Sequence, residues 1–206
     1  MARPRLRERD ELRTALVEQA ERLVSAEGAD ALTARRLADS VGVAVGTTYN
    51  VFANQDELVA ALNGRTLDRL AEELNSAPLP EGDLDERLIE IARRYISFVE
   101  AHSALWLLMF QHDFEQLAQV GVPPTENAQR IERLFGFIEQ VLGDLFQPGE
   151  ERERARTARV LWAGVHGICH LALTGRLAFM QIDNAISLAT TLIRCHIAGV
   201  KAGCRG

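Results

Sequence analysis

The chain lacks any uninterrupted apolar run near the roughly 20 residues that carry a helix across a bilayer, and its opening residues are charged, not apolar. No membrane span or secretory leader is expected, and a cytoplasmic protein is. Cysteine is scarce: Cys169, Cys195 and Cys204 are odd in number and widely spaced, which points neither to a disulfide framework nor to a Cys-x-x-Cys metal knuckle. Sustained strand alternation is missing. So are the Gly-x-Ser-x-Gly elbow, the Gly-x-Gly-x-x-Gly fingerprint and the Gly-x-x-x-x-Gly-Lys-[Ser/Thr] loop, and the Gly42 to Gly46 stretch has no lysine to make a phosphate cradle. Neither an enzyme nor a cofactor is expected. With a formal net charge of −6, the protein is not coated in positive charge, although DNA binding needs only a local basic face.

What is present is helix after helix, broken at glycine and proline. The most informative stretch is Leu32 to Phe52. Thr33 stands where an N-cap belongs, ahead of a helix with Leu37, Ala38 and Val41 on its inner side. Gly42 supplies the left-handed turn that other residues resist, and Val43 fills the corner. A second helix follows, and its small, hydroxyl-rich leading turn, Ala44 to Thr48, suits a helix end pressed against base edges in the major groove. This pattern reads as a helix-turn-helix, with an ordinary helical hairpin as the plainer alternative. Upstream, Leu12, Leu16, Ala20, Leu23 and Val24 form an apolar stripe at helical spacing. Before that, Arg3, Arg5, Arg7 and Arg9 alternate around Pro4, a basic arm able to follow phosphates or enter the minor groove.

Residues 8 to 62 resemble the DNA-binding domain of the tetracycline-repressor-like (TetR/AcrR) family of bacterial regulators. The resemblance rests on Gly28 as a helix stop, Leu32-Thr33, Leu37-Ala38-x-x-x-Gly42-Val43, Gly46-Thr47-x-Tyr49-x-x-Phe52 and the charged cap Asn54-Gln55-Asp56-Glu57-Leu58. It implies a regulator that binds palindromic double-stranded operator DNA as a homodimer. Two positions depart from it. The family often carries a phosphate-holding lysine where this chain has Gln55, and Asn50 stands where aromatic or histidine residues are common. Arg35 and the leading turn Val45, Gly46, Thr47 and Thr48, with Asn50, are expected at base edges. Thr33, Tyr49 and the backbone near Asn54 are expected at phosphates.

The expected architecture is all-α: a basic arm and three-helix DNA-binding domain over residues 1–54, then a larger helical ligand-binding and dimerisation domain over 55–206. A long fourth helix from about Gln55 to Ala77 joins them, and is the expected lever. Further helices are expected at Leu84 to Ala101, from a Ser103 cap through Phe110, from near Thr125 with Ile131, Leu134, Phe135, Ile138, Val141, Leu142 and Leu145 inward, and at about Glu150 to Thr174 and Asp183 to Val200. The last two are the most apolar pair and carry small residues, among them Ala163, Gly164 and Gly167. Gly167, His170, Leu171, Ile186, Ile193 and Ile197 are therefore expected at a twofold dimer interface.

Trp162, His166 and Gly167 look like the Trp…His-Gly signature of one C-terminal domain class of the family, which implies a helix that helps form the dimer and borders a ligand cavity. By composition, Trp106, Met109, Phe110 and Phe114 form one candidate wall for a small apolar or amphipathic effector, with Phe135, Trp162 and His166 as the other. Core packing accounts for the same residues equally well. The rival reading is a metal sensor: His166 and His170 are four apart on one helical face, with Cys169 adjacent and Cys195 and His196 on the next helix.

Overall fold

The computed structural model describes residues 3–110, 126–179 and 184–203, and these are helical, with no strand among them. The helices are α1 (Arg3–Glu27), α2 (Ala34–Val41), α3 (Val45–Val51), α4 (Gln55–Leu74), α5 (Leu84–Ala101), α6 (Ser103–Leu108), α7 (Glu126–Val141), α8 (Glu151–Leu173), α9 (Arg176–Phe179) and α10 (Ala185–Lys201). No described helix is long and apolar enough to cross a membrane.

The chain divides into two compact units. In the first, described over residues 3–68, 102–110 and 126–127, α1 lays Leu16, Val17, Ala20 and Val24 onto Leu37, Val51, Phe52, Leu58 and Leu62. Gly28, at φ 84°, stops α1. Thr33 then caps α2, its hydroxyl accepting the Arg36 N–H at 3.3 Å. Leu105 and Leu108 of α6 complete this core. The division between the units falls inside α4 and after α5.

The second unit, described over residues 69–101, 128–179 and 184–203, is built where α5, α8 and α10 pack on one another. Its centre holds Leu88, Tyr95, Ile96 and Val99 of α5, Leu161 and Val165 of α8, and Ile193 and Ile197 of α10. The helices approach closely at Gly164, where a Cβ would lie 2.3 Å from Leu192 Cδ2. The α7 stripe is less covered: Ile131, Leu134, Phe135 and Ile138 are half-buried.

Helix α4 ends at Leu74, three residues before the expected stop, and its orphaned carbonyls are all engaged. Asn75 donates to Ala71 O from both its backbone N–H and its side-chain amide, and its backbone N–H is shared with Glu72 O. Ser76 N–H reaches Glu73 O at 3.2 Å, and the Arg94 guanidinium reaches Leu74 O at 2.9 Å. At about 1.5 Å per residue, the 20 residues of α4 span roughly 30 Å.

Candidate nucleic-acid interface and effector region

The turn between α2 and α3 has the geometry the sequence predicts. Gly42 sits at φ 76°, ψ 33°, in the left-handed region, and its N–H closes α2. No heavy atom lies within 4 Å of where its Cβ would be, so backbone conformation rather than space calls for glycine. Val43 is half-buried at the corner, and its N–H bonds to Ala38 O at 3.0 Å.

Helix α3 exposes Val45, Gly46, Tyr49 and Asn50 and leaves Thr47 half-exposed. Thr48 does not belong with them. It is 5% exposed, and its hydroxyl donates to Val45 O at 2.6 Å, so its expected place at a base edge is corrected to a packing role on the inner face of α3. One turn of helix carries about four residues around the axis, and only part of that turn can face outward. Among the described residues no ion pair engages Arg35, which is exposed. Its neighbour Arg36 is held bidentately by Glu27, at 2.6 and 3.0 Å, and that contact keeps the Glu27 carboxyl below its ordinary range.

Asn54 caps α4, its Oδ1 accepting the Glu57 N–H at 2.8 Å, while the Glu57 carboxylate accepts the Ala53 N–H at 2.8 Å. This reciprocal arrangement is a variant of the capping box. Gln55 donates its amide to Leu32 O at 3.0 Å, a contact that fixes the α4 N-terminus to the start of the helix-turn-helix. Tyr49, Asn54 and Gln55 border one small hollow of about 30 Å³.

The backbone of Arg3 to Arg9 is helical and continuous with α1, so these arginines stand on the first turns of a helix and not on a separate arm. Pro4 is compatible with that placement, since a first-turn N–H has no intrahelical acceptor. Arg13, further along α1, is committed to packing, its guanidinium 4.9 Å from the centroid of the Phe52 ring.

The two candidate effector walls fall in different units. Trp106 is fully buried and meets the Phe110 ring at 5.0 Å, tilted by 54°, and Met109 is also buried. Phe114 lies outside the described residues. In the second unit, Phe135 meets Trp162 edge-to-face at 5.6 Å, and Trp162 lies 4.8 Å from the His166 ring. Sequence reasoning missed the two ends of this row. The Arg159 guanidinium sits 4.6 Å from the Phe135 ring and is paired with Glu132 and Glu139. The Tyr95 hydroxyl is 3.0 Å from His166 Nδ1. Burial, then the neighbouring His170, pushes His166 down to about 4. A separate groove of about 370 Å³ is lined by Leu74 to Leu79 and Phe137.

At the expected dimer interface, His170 is exposed, and Gly167, Leu171 and Ile186 are half-exposed. Val160, 41% exposed, extends that face of α8. Ile193 and Ile197 are 2% and 0% exposed and belong to the core of the unit. Their assignment to the interface is corrected: they occupy the side of α10 that meets α5 and α8, which apolar character alone does not distinguish from an outward side. The metal set does not assemble. Among the described residues no three of His, Cys, Asp and Glu are placed to hold an ion, and the buried Cys169 thiol is pushed up to about 12 by burial and by Glu100.

Comparison with known proteins agrees with this geometry. No curated protein matches the chain. Several solved structures share the fold. A protein of unknown function from Rhodococcus sp. RHA1 aligns with a TM-score of 0.69 at 24% identity, over 91% of this chain and 94% of its own. A tetR-family transcriptional regulator from Streptomyces coelicolor aligns at 0.64 and 21%, over 94% and 83%. A TetR protein from Acinetobacter baumannii AYE, solved in complex with minocycline, aligns at 0.60 and 22%, over 93% and 96%. The family model for bacterial regulatory proteins of the tetR family matches residues 16–62, the stretch that carries the capped helix and the left-handed Gly42. The model for the tetracyclin repressor-like C-terminal domain matches residues 88–195, and the chain therefore belongs to the TetR family of bacterial transcriptional regulators.

Proposed function

We propose that this protein is a homodimeric repressor that binds a palindromic operator and is released from it by a small apolar or amphipathic effector. The family is one of DNA-binding regulators, not of enzymes. The observation that carries the proposal is the outward set on α2 and α3: Arg35, Val45, Gly46, Thr47, Tyr49 and Asn50 stand clear of the unit's core, with Arg35 uncommitted to an ion pair among the described residues. Arg35 and the residues Val45 to Thr47 read bases. Tyr49, Thr33 and the α4 N-terminus at Asn54 hold phosphates. Among the described residues Thr33 is occupied only as an acceptor in its cap, so its O–H is able to donate.

Homodimerisation is supported by the uncovered face of α8, Val160, Gly167, His170 and Leu171. An effector role is supported by the row Phe135, Trp162, His166 and Tyr95, which joins aromatic surface to one hydrogen-bonding imidazole. The Acinetobacter protein's complex with minocycline is in keeping with that class of molecule. Release follows by population shift. An effector that favours the state with the reading heads wrongly spaced weakens DNA binding by the same coupling free energy, typically about 1–3 kcal/mol. Selection of bound sequences from random DNA, with mass measurement of the free protein, tests the reading. A two-half-site consensus and a dimer are expected. A monomer, or retention with no sequence preference, would overturn it.

A further inference from the structure

We infer that the Glu27 carboxylate is a built-in substitute for a DNA phosphate: it holds Arg36 off the duplex and so keeps the sequence-independent grip of this protein on DNA low. The inference rests on the reading above, in which the start of α2 faces the phosphates. Glu27 is the last residue of α1 and Arg36 the third of α2, on either side of the Gly28 stop and the Thr33 cap. The guanidinium donates from both terminal nitrogens, at 2.6 Å to Glu27 Oε1 and at 3.0 Å to Glu27 Oε2. Both side chains stand about half in water, Arg36 44% and Glu27 51% exposed, and both lie in the first unit.

The pair is placed as a competitor and not as a brace. Exposed ion pairs add little to stability, and the first unit already draws its core from α1, α2, α3, α4 and α6. Two parallel N–H···O bonds are what a guanidinium makes with a carboxylate or with a phosphate alike. The Cα–Cβ bonds of a helix tilt toward its N-terminus, so the Arg36 side chain leans back over the turn that Thr33 opens, and the Arg36 backbone N–H is itself held by the Thr33 hydroxyl at 3.3 Å. Arg35, beside it, meets no ion pair among the described residues. Of two adjacent arginines on one exposed turn, one is left for DNA and the other is neutralised. An arginine spent on an internal carboxylate neutralises no phosphate and releases no counterion. Binding to random sequence is almost wholly electrostatic, so withholding one charge from each head takes a larger share from it than from the operator complex, where base contacts also contribute.

The test uses full-length protein on a mixed-sequence duplex without the selected half-sites, titrated between about 50 and 200 mM salt. Glu27→Gln and Glu27→Ala each free Arg36, and the slope of log affinity against log salt is expected to steepen by about 0.9 for each head. For two heads, the loss of affinity across that salt range is expected to grow roughly tenfold. Arg36→Gln alone is expected to leave the slope as in wild type, and added to Glu27→Gln it is expected to return the slope to the wild-type value. Asp30→Asn removes a nearby exposed acid that no hydrogen bond or ion pair engages among the described residues, and it too is expected to leave the slope unchanged. A slope indifferent to both Glu27 variants, steepened as much by Asp30→Asn, or made shallower by Arg36→Gln alone would overturn the inference. The reading beneath it is tested separately by Arg35→Ala on the selected operator, where unchanged affinity and base preference would show that α2 does not meet DNA.

Discussion

The Tyr95 hydroxyl and His166 Nδ1 lie 3.0 Å apart, joining α5 to α8 inside the second unit. Tyr95 is buried and His166 half-buried, so protonating the ring places a charge against the unit's interior. In the unfolded chain His166 takes up a proton near its ordinary 6.5, and in the folded protein only near about 4. Between those values the unfolded chain binds more protons, so stability is full above about 6.5 and falls as pH drops towards about 4. His196 is also lowered by burial and acts in the same sense. At about 1.4 kcal/mol per pH unit, discounted for the solvent screening of a half-buried ring, His166 costs on the order of 1–2 kcal/mol in acid. Urea unfolding at about pH 7.5 and about pH 5, either side of the ordinary histidine range, is expected to show this loss. His166→Phe is expected to be less stable at neutral pH, having removed the hydrogen bond between Tyr95 and His166, yet flatter in its pH dependence. An unchanged slope would place the acid sensitivity elsewhere.

On the reading head, neighbouring threonines are expected to behave differently. Thr47→Ala and Arg35→Ala remove outward groups, and each is expected to cost about 1–3 kcal/mol at one base pair of each half-site while the fold is kept. Thr48→Ala breaks the bond to Val45 O inside the unit, so it is expected to lower stability by about 1 kcal/mol without altering base preference. Tyr49→Phe removes only a phosphate donor and is expected to weaken all sequences alike. Binding-site selection beside thermal melts separates these outcomes. A changed preference in Thr48→Ala would return that residue to the DNA surface.

Local chemistry explains why the helix-turn-helix is so legible in the sequence. A cap, a left-handed glycine and a stop are decided within a few residues, so Thr33, Gly42 and Gly28 stand as read. The limits of α5 are likewise those its apolar stripe predicts. What escapes a sequence reading depends on partners distant along the chain. Whether Ile193 faces α5 or a second copy is undetermined by its being isoleucine. The leucines of α6 carry no sign that they join the core built on α1. One signal of a distant partner is present: Arg94 interrupts the stripe Ile91, Tyr95 and Phe98 at a core-facing position. A charge there needs an interior partner, and it finds the end of α4.

The arginines at the start of α1 carry a prediction about salt. Replacing Arg3, Arg5 and Arg7 together by glutamine keeps helix-forming residues while removing three charges. If all three meet phosphates, the slope of log affinity against log salt is expected to become shallower by about 0.9 for each phosphate no longer neutralised. The consensus sequence is expected to stay the same, since phosphate contacts carry no base information. Titrations at several salt concentrations give the slope directly. An unchanged slope would show that these residues do not touch DNA.

The dimer is tested by two substitutions that the burial pattern separates. Nothing lies within 4 Å of a Cβ built on Gly167, and its neighbours Val160 and His170 are exposed, so Gly167→Glu is expected to fold. Its carboxylate is tolerated in water but not in an apolar contact between two copies, where burying an unpaired charge costs several kcal/mol. Monomers are expected, with operator affinity falling far beyond any change in a single reading head, because two half-sites about 34–36 Å apart are held only by tethered heads. Ile193→Glu places the same charge among the side chains of α5 and α8, where Ile193 is 2% exposed. It is expected to unfold the second unit, visible as a loss of helical signal and not as a clean monomer. Mass in solution and circular dichroism on both variants separate the two cases. A stable dimer with normal affinity from Gly167→Glu would move the interface off this face of α8.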